Sequence, residues 1–313
     1  MKSSFFALLL FVLTKSFSQQ PLAEVIDFGN NPGNLELYYY DPTPEIKHKQ
    51  LVVVLHGCSQ SAKQIDNITL WSDIAKRNNF CVIYPQQKLV NNPNLCFNWF
   101  QEKNQNVDDE ILSIYNMVKF SKDSLYIDTT NVFLYGVSAG ANITNILSAN
   151  LPWLFKAAAV VAGSPYKAAY GTGAFKLLGQ PITKSESEWG DLIRNQHPNY
   201  KGSYPKMIFM HGTNDFIVDY YFNKENIKQW CNIHQLSIEP ITTETFAKEE
   251  RIDKYYYGAT KKNIKVIDYI VNDVGHKIPV DSTYRSNNFL AKKIKFNSTL
   301  EIAKDFGIID YGK

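Results

Sequence analysis

The sequence predicts an α/β fold with a mostly parallel central sheet that is flanked by helices on both faces. Short apolar runs recur along the chain, as is typical of strands that are buried on both faces of a sheet. Helical patterns lie between these runs, and alternating strands and helices form the βαβ units of a parallel sheet. No internal repeat or low-complexity linker interrupts residues 19–313, so we expect one three-layer α/β/α domain.

The predicted elements follow one another in the order that this fold requires. Residues 30–40 are predicted to be a turn that leads into an alternating strand, whereas residues 163–205 have no clear periodicity. So long a loop is unusual in a compact domain unless it has a function, such as covering a site. Further strands are predicted at Leu51–Leu55, Cys81–Tyr84, Val132–Tyr135, Ala157–Ala162, Met207–Met210 and Val266–Ile270. Helices are predicted at Asp108–Phe120, Ala139–Leu147, Phe222–Cys231 and Asn288–Phe306.

Composition and charge exclude several classes of protein. The 313 residues are 44% hydrophobic with a formal net charge of +3, which argues against long disorder and against a nucleic-acid-binding surface. The 16 glycines and 13 prolines have no regular spacing and no heptad pattern persists, which excludes collagen and coiled-coil structures. None of the four cysteines forms a CxxC pair, so we expect no structural zinc site.

Residues 1–18 have the pattern of a signal peptide. Lys2 supplies the positive charge, Phe5–Leu13 is an apolar run, and Ser16 and Ser18 are small residues at the two positions that a signal peptidase reads. The alternative is a membrane anchor, but nine apolar residues are too few to cross a hydrocarbon core of roughly 30 Å as a helix. We therefore expect a secreted or periplasmic protein that has no membrane segment after cleavage.

A candidate nucleophile lies in the motif Gly136-Val-Ser138-Ala-Gly140. The motif follows a predicted strand and opens a predicted helix, which is the context that a nucleophile elbow requires. The two glycines would allow a sharp turn that exposes the Ser138 hydroxyl above the edge of the sheet. The alternative is a small-residue helix start at which Ser138 only caps the helix.

A serine hydroxyl needs a base, and the base needs an acid that orients it. His276 follows the last predicted strand and is the best candidate for the base, although His56 and His211 also follow strands. Asp215 comes just after the fifth apolar run and is the candidate acid. The alternatives to it are Asp219, at the expected start of the next helix, and Asp273, a turn residue. Nucleophile, acid and base then follow the chain order of α/β-hydrolases.

An oxyanion hole needs two backbone N–H donors. Ala139 follows the nucleophile at a helix N-terminus, and its amide is the first candidate. The second is the amide of Cys58, in the loop after the first central strand, where Gly57 would let the backbone approach the substrate. The alternative for His56-Gly57 is an ordinary turn at the end of a strand.

Several sequence blocks occur in a fixed order through nearly the whole mature chain. They are Asn31–Leu35, Leu51–Gln60 (LVVVLHGCSQ), Tyr84–Gln87, Cys96–Phe100 (CFNWF), Gly136–Asn142, His211–Asp215, and Gly275–His276 with Pro279–Asp281. GxSxG is generic, whereas HGCSQ combined with CFNWF is much more specific. The sequence thereby resembles the polyhydroxybutyrate depolymerase-like esterases, which include acetyl xylan and feruloyl esterases of carbohydrate esterase family one. The resemblance implies a secreted serine esterase that uses Ser138, Asp215 and His276, with the Cys58 amide in the oxyanion hole.

The oxyanion loop differs from the broader hydrolase pattern, which has HGGG where this chain has HGCS. A disulfide between Cys58 and Cys96 would fix this loop and preorganise the amide; the alternative is two free buried thiols. Pairing of Cys81 and Cys231 stays open. Four cysteines in an exported protein allow three pairings.

Aromatic residues are candidates for substrate contact because their faces stack on sugar rings and on aromatic acids. Trp99 lies in the CFNWF block, and Tyr166, Tyr170 and Trp189 lie in the irregular segment. Packing in the core is the alternative for Trp99, and incidental surface exposure is the alternative for the others.

The expected substrates are esters, and no cofactor or metal is expected. Enzymes that attack solid polyester usually carry a linker and a separate binding domain, and the sequence has neither pattern. This favours acetyl or feruloyl esters on xylan-type polysaccharide, with a polyhydroxyalkanoate or other polyester as the alternative. A non-catalytic glycan-binding protein and a peptidase with the same triad are further alternatives. The oligomeric state is left open.

Overall fold

The computed structural model describes residues 21–168, 182–247, 251–284 and 288–309. The predicted signal peptide and Tyr170 lie outside these residues. The strands are β1 Ala23–Val25, β2 Glu36–Tyr40, β3 Lys49–Leu55, β4 Cys81–Gln86, β5 Ile127–Val137, β6 Ala157–Val161, β7 Lys206–Gly212, β8 Thr242–Ala247, β9 Ile252–Thr260, β10 Asn263–Val271, β11 Ile278–Asp281 and β12 Ala291–Ile294. The helices are α1 Ala62–Thr69, α2 Trp71–Asn78, α3 Asp109–Ser124, α4 Ala139–Asn150, α5 Glu186–Arg194, α6 Tyr221–Ile233 and α7 Ser298–Phe306, with a short 3₁₀ helix at Glu102–Gln105.

The described residues contain a ten-stranded mixed sheet, in the order β1-β2-β4-β3-β5-β6-β7-β10-β9-β8. The six central strands, β4 to β10 in this order, are parallel, and the antiparallel pairs lie at the two edges. All six central strands were predicted from apolar runs. Their side chains are buried on both faces because helices cover both faces. The α/β fold class is therefore confirmed.

Two apolar layers form the core, one on each face of the sheet. Helices α3, α4, α5 and α6 pack on one face, where Ile111, Ile146 and Trp230 are buried. Helices α1, α2 and α7 pack on the other face, where Trp71 and Ile302 are buried. None of the described helices is both long enough and apolar enough to cross a membrane. The assignment of residues 19–313 to one domain stays a prediction.

The prediction of one helix over Asn288–Phe306 is wrong. Residues Ala291–Ile294 form β12, which pairs with β11 in a small parallel sheet, and the helix begins only at Ser298. The Asn297 side chain caps that helix by accepting a hydrogen bond from the Leu300 amide at 2.9 Å. The sequence pattern did not reveal β12, because its backbone partner lies in a separate segment.

Part of the segment 163–205 is helical, which the sequence pattern did not predict. It contains α5, whose start is a capping box in which Ser185 and Glu188 each bond to the other's backbone amide. This S-x-x-E pattern is a local signal that the sequence analysis missed. Residues 169–181 of the segment lie outside the described residues.

Candidate active site

The turn between β5 and α4 exposes Ser138 at the carboxyl edge of the sheet. Ser138 has φ 56° and ψ −119°, a conformation that a residue with a side chain rarely adopts. The flanking glycines are required by close packing: a Cβ on Gly140 would lie 2.3 Å from the Leu55 carbonyl oxygen, and one on Gly136 would lie 2.3 Å from the Gly140 carbonyl oxygen. The backbone is thus held in the shape of a nucleophile elbow.

The three side chains predicted to form a triad are in hydrogen-bond contact. His276 Nε2 lies 2.8 Å from Ser138 Oγ, and His276 Nδ1 lies 2.7 Å from Asp215 Oδ2. The loop after β7 supplies Asp215 and the loop after β10 supplies His276, so three parallel strands deliver them to one edge of the sheet. The Asp215 side chain is fully buried, whereas the His276 side chain retains 14% exposure beside the serine. This geometry suits proton transfer from the hydroxyl to the imidazole.

Asp215 is surrounded by hydrogen-bond donors. Its Oδ1 accepts from the amides of Ile217 and Val218 at 2.9 and 3.0 Å, and its Oδ2 also lies 3.2 Å from His211 Nε2. Burial alone would raise the pKa of Asp215. Hydrogen bonds from His211 and His276 outweigh the burial and hold this pKa well below its ordinary value. The carboxylate therefore stays charged and can stabilise an imidazolium.

The two competing histidines are already engaged elsewhere. His56 Nε2 accepts a hydrogen bond from the Gln87 amide at 3.1 Å, so its Nδ1 carries the proton and donates to the Gly57 carbonyl at 2.7 Å. Burial lowers the pKa of His56 to about 4, and the bond to Gly57 only partly opposes this effect. His211 Nε2 lies 2.8 Å from the Val218 carbonyl and fixes the loop that carries Asp215.

The two competing acids also lie away from the base. Asp219 accepts a hydrogen bond from the Tyr221 amide at the start of α6. Asp273 is exposed and pairs with Arg251 at the surface. Among the described residues, no group of three or more His, Cys, Asp or Glu side chains has the arrangement of a metal site.

A disulfide joins Cys58 to Cys96. It ties the loop after β3 to the loop after β4, and the Ser59 amide adds a hydrogen bond to the Asn94 carbonyl at 2.7 Å. Gly57 lies against the nucleophile, since a Cβ there would be 3.2 Å from Ser138 Cβ. The loop that holds Cys58 is therefore fixed beside the serine. Cys81 and Cys231 are free and buried.

Removing this disulfide is expected to destabilise the fold strongly. The bond closes a loop with a sequence separation of 38 residues. The double variant Cys58→Ala/Cys96→Ala should lose about 4 kcal/mol in its free energy of unfolding, which urea titration measures. Dithiothreitol should destabilise the wild type and leave the double variant unchanged. A variant as stable as the wild type would contradict the prediction.

Comparison with known proteins identifies the family. Residues 35–231 match the model of the family described as esterase PHB depolymerase. The chain belongs to this esterase family. It is 36% identical over 282 residues to poly(3-hydroxyalkanoate) depolymerase C of Paucimonas lemoignei, which covers 90% of this chain and 67% of the relative. It is 31% identical over 269 residues to an acetylxylan esterase of Coprinopsis cinerea, and this match covers 84% of this chain and 70% of the relative. The resemblance found in the sequence is thus confirmed, and the protein is a carboxylic ester hydrolase.

A solved relative supports the esterase fold. The acetyl xylan esterase from Aspergillus awamori superposes with a TM-score of 0.80 at 23% identity, over 93% of this chain and 100% of that chain. At this identity the likeness establishes the fold alone. A feruloyl esterase B of Talaromyces funiculosus is 30% identical over 269 residues, covering 83% of this chain and 74% of the relative.

The aromatic residues predicted to contact substrate are mostly core residues of this esterase. Trp189 is fully buried, and its Nε1 donates a hydrogen bond to Glu225 at 2.6 Å. Tyr166 is 1% exposed, and its hydroxyl donates a hydrogen bond to the Gln105 carbonyl. Their predicted role is wrong, because a side chain enclosed by the core offers no face to a ligand. Trp99 retains only 7% exposure and packs in the same apolar layer, so its contact with substrate stays a prediction.

The structure also reveals exposed apolar side chains that the sequence analysis did not single out. Phe216 and Ile217 directly follow Asp215 and are 85% and 56% exposed. Leu89 and Val90 follow β4 and are 65% and 81% exposed. Apolar residues in the loops that follow predicted strands were a signal that was available in the sequence.

Proposed function

We propose that the protein hydrolyses carboxylic esters through an acyl-enzyme on Ser138, with His276 as the general base and Asp215 as its orienting acid. The observation that carries this proposal is the unbroken hydrogen-bond path from Ser138 Oγ through the imidazole to Asp215 Oδ2. Such a path activates a hydroxyl that is otherwise a weak nucleophile at neutral pH.

The reaction proceeds in two halves. Ser138 Oγ attacks the ester carbonyl carbon while His276 Nε2 takes the hydroxyl proton, and Nε2–H then protonates the alcohol oxygen as its bond to the carbonyl carbon breaks. In the second half, a water gives its proton to Nε2 and attacks the acyl carbon. Collapse of this intermediate releases the carboxylic acid and returns the proton to Ser138. Asp215 stabilises the imidazolium in both halves and keeps its own charge.

The amides of Cys58 and Ala139 would stabilise the oxyanion. Ala139 is the first residue of α4, where an amide has no partner within the helix and the helix dipole favours negative charge. Within the described part of the chain, neither amide donates a hydrogen bond to another group. The neighbouring loop amides of Gly57 and Ser59 are both occupied. The loop thus leaves the Cys58 amide free beside the nucleophile, which supports the assignment.

The proposed substrates are acetyl or feruloyl esters on xylan-type polysaccharide. Support comes from the relatives, among them acetylxylan esterases and feruloyl esterases at 29–32% identity. We further propose that residues 1–18 direct the export of the esterase as a signal peptide that is then cleaved. The apolar run Phe5–Leu13 behind Lys2 supports export, as does the disulfide, since such bonds persist in oxidising compartments.

A specific observation favours an aliphatic polyester as a second candidate substrate. The exposed pairs Leu89–Val90 and Phe216–Ile217 follow β4 and β7. Each of these strands lies two positions from β5, on opposite sides, or about 10 Å from the strand that carries Ser138. Apolar side chains on both flanks of the nucleophile suit contact with a hydrophobic polymer. The depolymerase relative adds support.

A rate panel on the mature protein tests these proposals, with acetylated xylan, methyl ferulate and emulsified polyhydroxybutyrate as substrates and Ser138→Ala as the control. We expect the highest kcat/KM on one of the first two. Clearing of the polymer alone would favour the second candidate. In that case the variant Phe216→Ser/Ile217→Ser should clear polymer more slowly. The matched control is Ile26→Ser, which changes an apolar side chain that is 87% exposed and remote in sequence. It should clear polymer at the unchanged rate.

A further inference from the structure

A buried carboxylate outside the triad lies at the centre of a network of amide donors. Glu110, in the first turn of α3, is 1% exposed. Its Oε1 accepts hydrogen bonds from Gln87 Nε2 at 2.6 Å and from Asn98 Nδ2 at 2.7 Å, and its Oε2 accepts from the Asn98 amide at 2.8 Å. All three partners are donors, so this arrangement favours the ionised form of Glu110, whose two oxygens only accept.

One chain of hydrogen bonds leads from Glu110 to the oxyanion loop through Gln87. The Gln87 amide donates to His56 Nε2 at 3.1 Å, and His56 Nδ1 donates to the Gly57 carbonyl at 2.7 Å. That carbonyl belongs to the same peptide unit as the Cys58 amide, because the peptide bond joins Gly57 C=O to Cys58 N–H. The direction of the proposed oxyanion donor is therefore fixed by His56.

A second connection runs through the disulfide. Gln87 Nε2 also donates to the Cys96 carbonyl at 3.1 Å, and Cys96 is bonded to Cys58. Asn98, which donates twice to Glu110, lies two residues beyond Cys96. Glu110 is thus connected to the Cys58 peptide unit by two routes, one through His56 and one through the disulfide. Among the described residues it has no hydrogen bond to Ser138.

We propose that Glu110 is a positioning residue for ester hydrolysis, whose ionised carboxylate fixes the loop that aims the Cys58 amide at the oxyanion. The inference rests on the proposed function of Ser138 and of the Cys58 amide. When Glu110 takes up a proton, one carboxyl oxygen becomes a donor that faces another donor. One of the three hydrogen bonds is then lost, and the loops that hold Cys96 and Gln87 loosen.

The electrostatic surroundings place this change near neutral pH. Burial raises the pKa of Glu110 to about 7, and the bonds from Gln87 and Asn98 oppose it. The charged groups near Glu110 are Asp109 and Asp108 at the start of α3 and Lys103, which pairs with Asp109 at 2.6 Å. His56, on the side of β3, is neutral because its pKa is lowered to about 4.

The raised pKa of Glu110 also affects how the stability of the fold depends on pH. A carboxyl whose pKa is higher in the folded state than in the unfolded state favours folding at low pH, and this contribution is lost as the pH rises through about 7. Ionised Glu110 therefore lowers the free energy of unfolding at the pH where it organises the loop.

The experiment compares wild type and Glu110→Gln with a soluble ester substrate between pH 5.5 and 8.5. At pH 8 the variant should have a kcat lowered about 10- to 100-fold, a part of the roughly 10²- to 10³-fold effect of losing one oxyanion donor, with KM changed less than threefold. The inhibition constant of a trifluoromethyl ketone, which forms an oxyanion on Ser138, should weaken by the same factor. At pH 5.5 wild type and variant should differ by less than threefold, because wild-type Glu110 is then protonated.

A matched control is Glu225→Gln, which removes another buried carboxylate. Glu225 accepts from Trp189 and Lys228, and in the described part of the chain it has no hydrogen bond to the oxyanion loop. Its kcat and inhibition constant should follow wild type at both pH values. If Glu110→Gln does not fold, the variant Gln87→Leu tests the inference instead. It removes the side-chain amide that donates to both Glu110 and the Cys96 carbonyl. Equal kcat and inhibitor affinity in wild type and either folded variant at pH 8 would overturn the inference. Ser138→Ala tests the proposed function separately, because its full activity would refute the nucleophile whatever Glu110 does.

Discussion

Replacing Ser138 with Ala is expected to lower kcat by a factor on the order of 10⁶, with little change in KM. The substitution removes the hydroxyl oxygen that, among the described residues, hydrogen-bonds to His276 Nε2. Without this oxygen no acyl-enzyme can form. Alanine keeps a Cβ in the strained backbone conformation at φ 56°, and the melting temperature should stay within a few degrees of wild type. Active-site titration together with kcat on 4-nitrophenyl acetate measures the effect.

The matched control for this substitution is Ser148→Ala in the same helix, α4. The Ser148 hydroxyl is buried and has no hydrogen-bond partner among the described residues, so its removal should change neither kcat nor stability. A folded Ser138→Ala protein that keeps more than about 1% of wild-type kcat would refute the nucleophile assignment, given the size of loss that a missing triad serine causes.

Replacing Asp215 with Asn is expected to lower kcat by about 10⁴. The fully buried carboxylate accepts from His276 Nδ1 at 2.7 Å and from two backbone amides. The amide group of asparagine cannot accept all of these bonds, so the imidazole loses the partner that holds its proton on Nδ1. The resulting tautomer presents N–H to Ser138 and cannot remove its proton.

Asp273→Asn is the control for the choice of acid, because Asp273 is exposed and pairs only with Arg251 at the surface in the described residues. It should keep kcat within twofold of wild type. Loss of activity in Asp273→Asn with full activity in Asp215→Asn would reverse the assignment.

Because the pKa of Asp215 is held well below its ordinary value, Asp215 should not titrate in the acid limb of the pH–rate profile. That limb should report other groups.

Local patterns predicted the parts of the structure that depend on neighbouring residues. The runs Leu51–Leu55 and Val132–Tyr135 became buried central strands, because residues that are apolar in succession need cover on both faces of a sheet. The motif around Ser138 predicted the turn, since the two glycines are required within a few residues of the serine. The family blocks indicated the disulfide, which the structure contains.

Long-range contacts decided the rest. Which of three strand-following histidines faces the serine depends on loops that are far apart in sequence: His276 meets Ser138 across 138 positions, whereas His56 is occupied by Gln87. Trp189 in α5 is buried in the core and donates a hydrogen bond to Glu225 in α6, a partner that lies far away in the sequence. The strand Ala291–Ile294 forms only because β11 supplies its backbone partners.

The amino-acid sequence alone was enough to predict the α/β class, the chain order of the candidate serine, aspartate and histidine, and the esterase family. These properties are recorded in short-range periodicity and in motifs whose members lie within a few residues of one another. Three-dimensional packing was needed to show which carboxylate contacts His276, which aromatic rings are enclosed, and that Glu110 is connected to the Cys58 loop. Those properties depend on the packing of separate segments against one another, and a buried polar group has its effect only through the partners that this packing supplies.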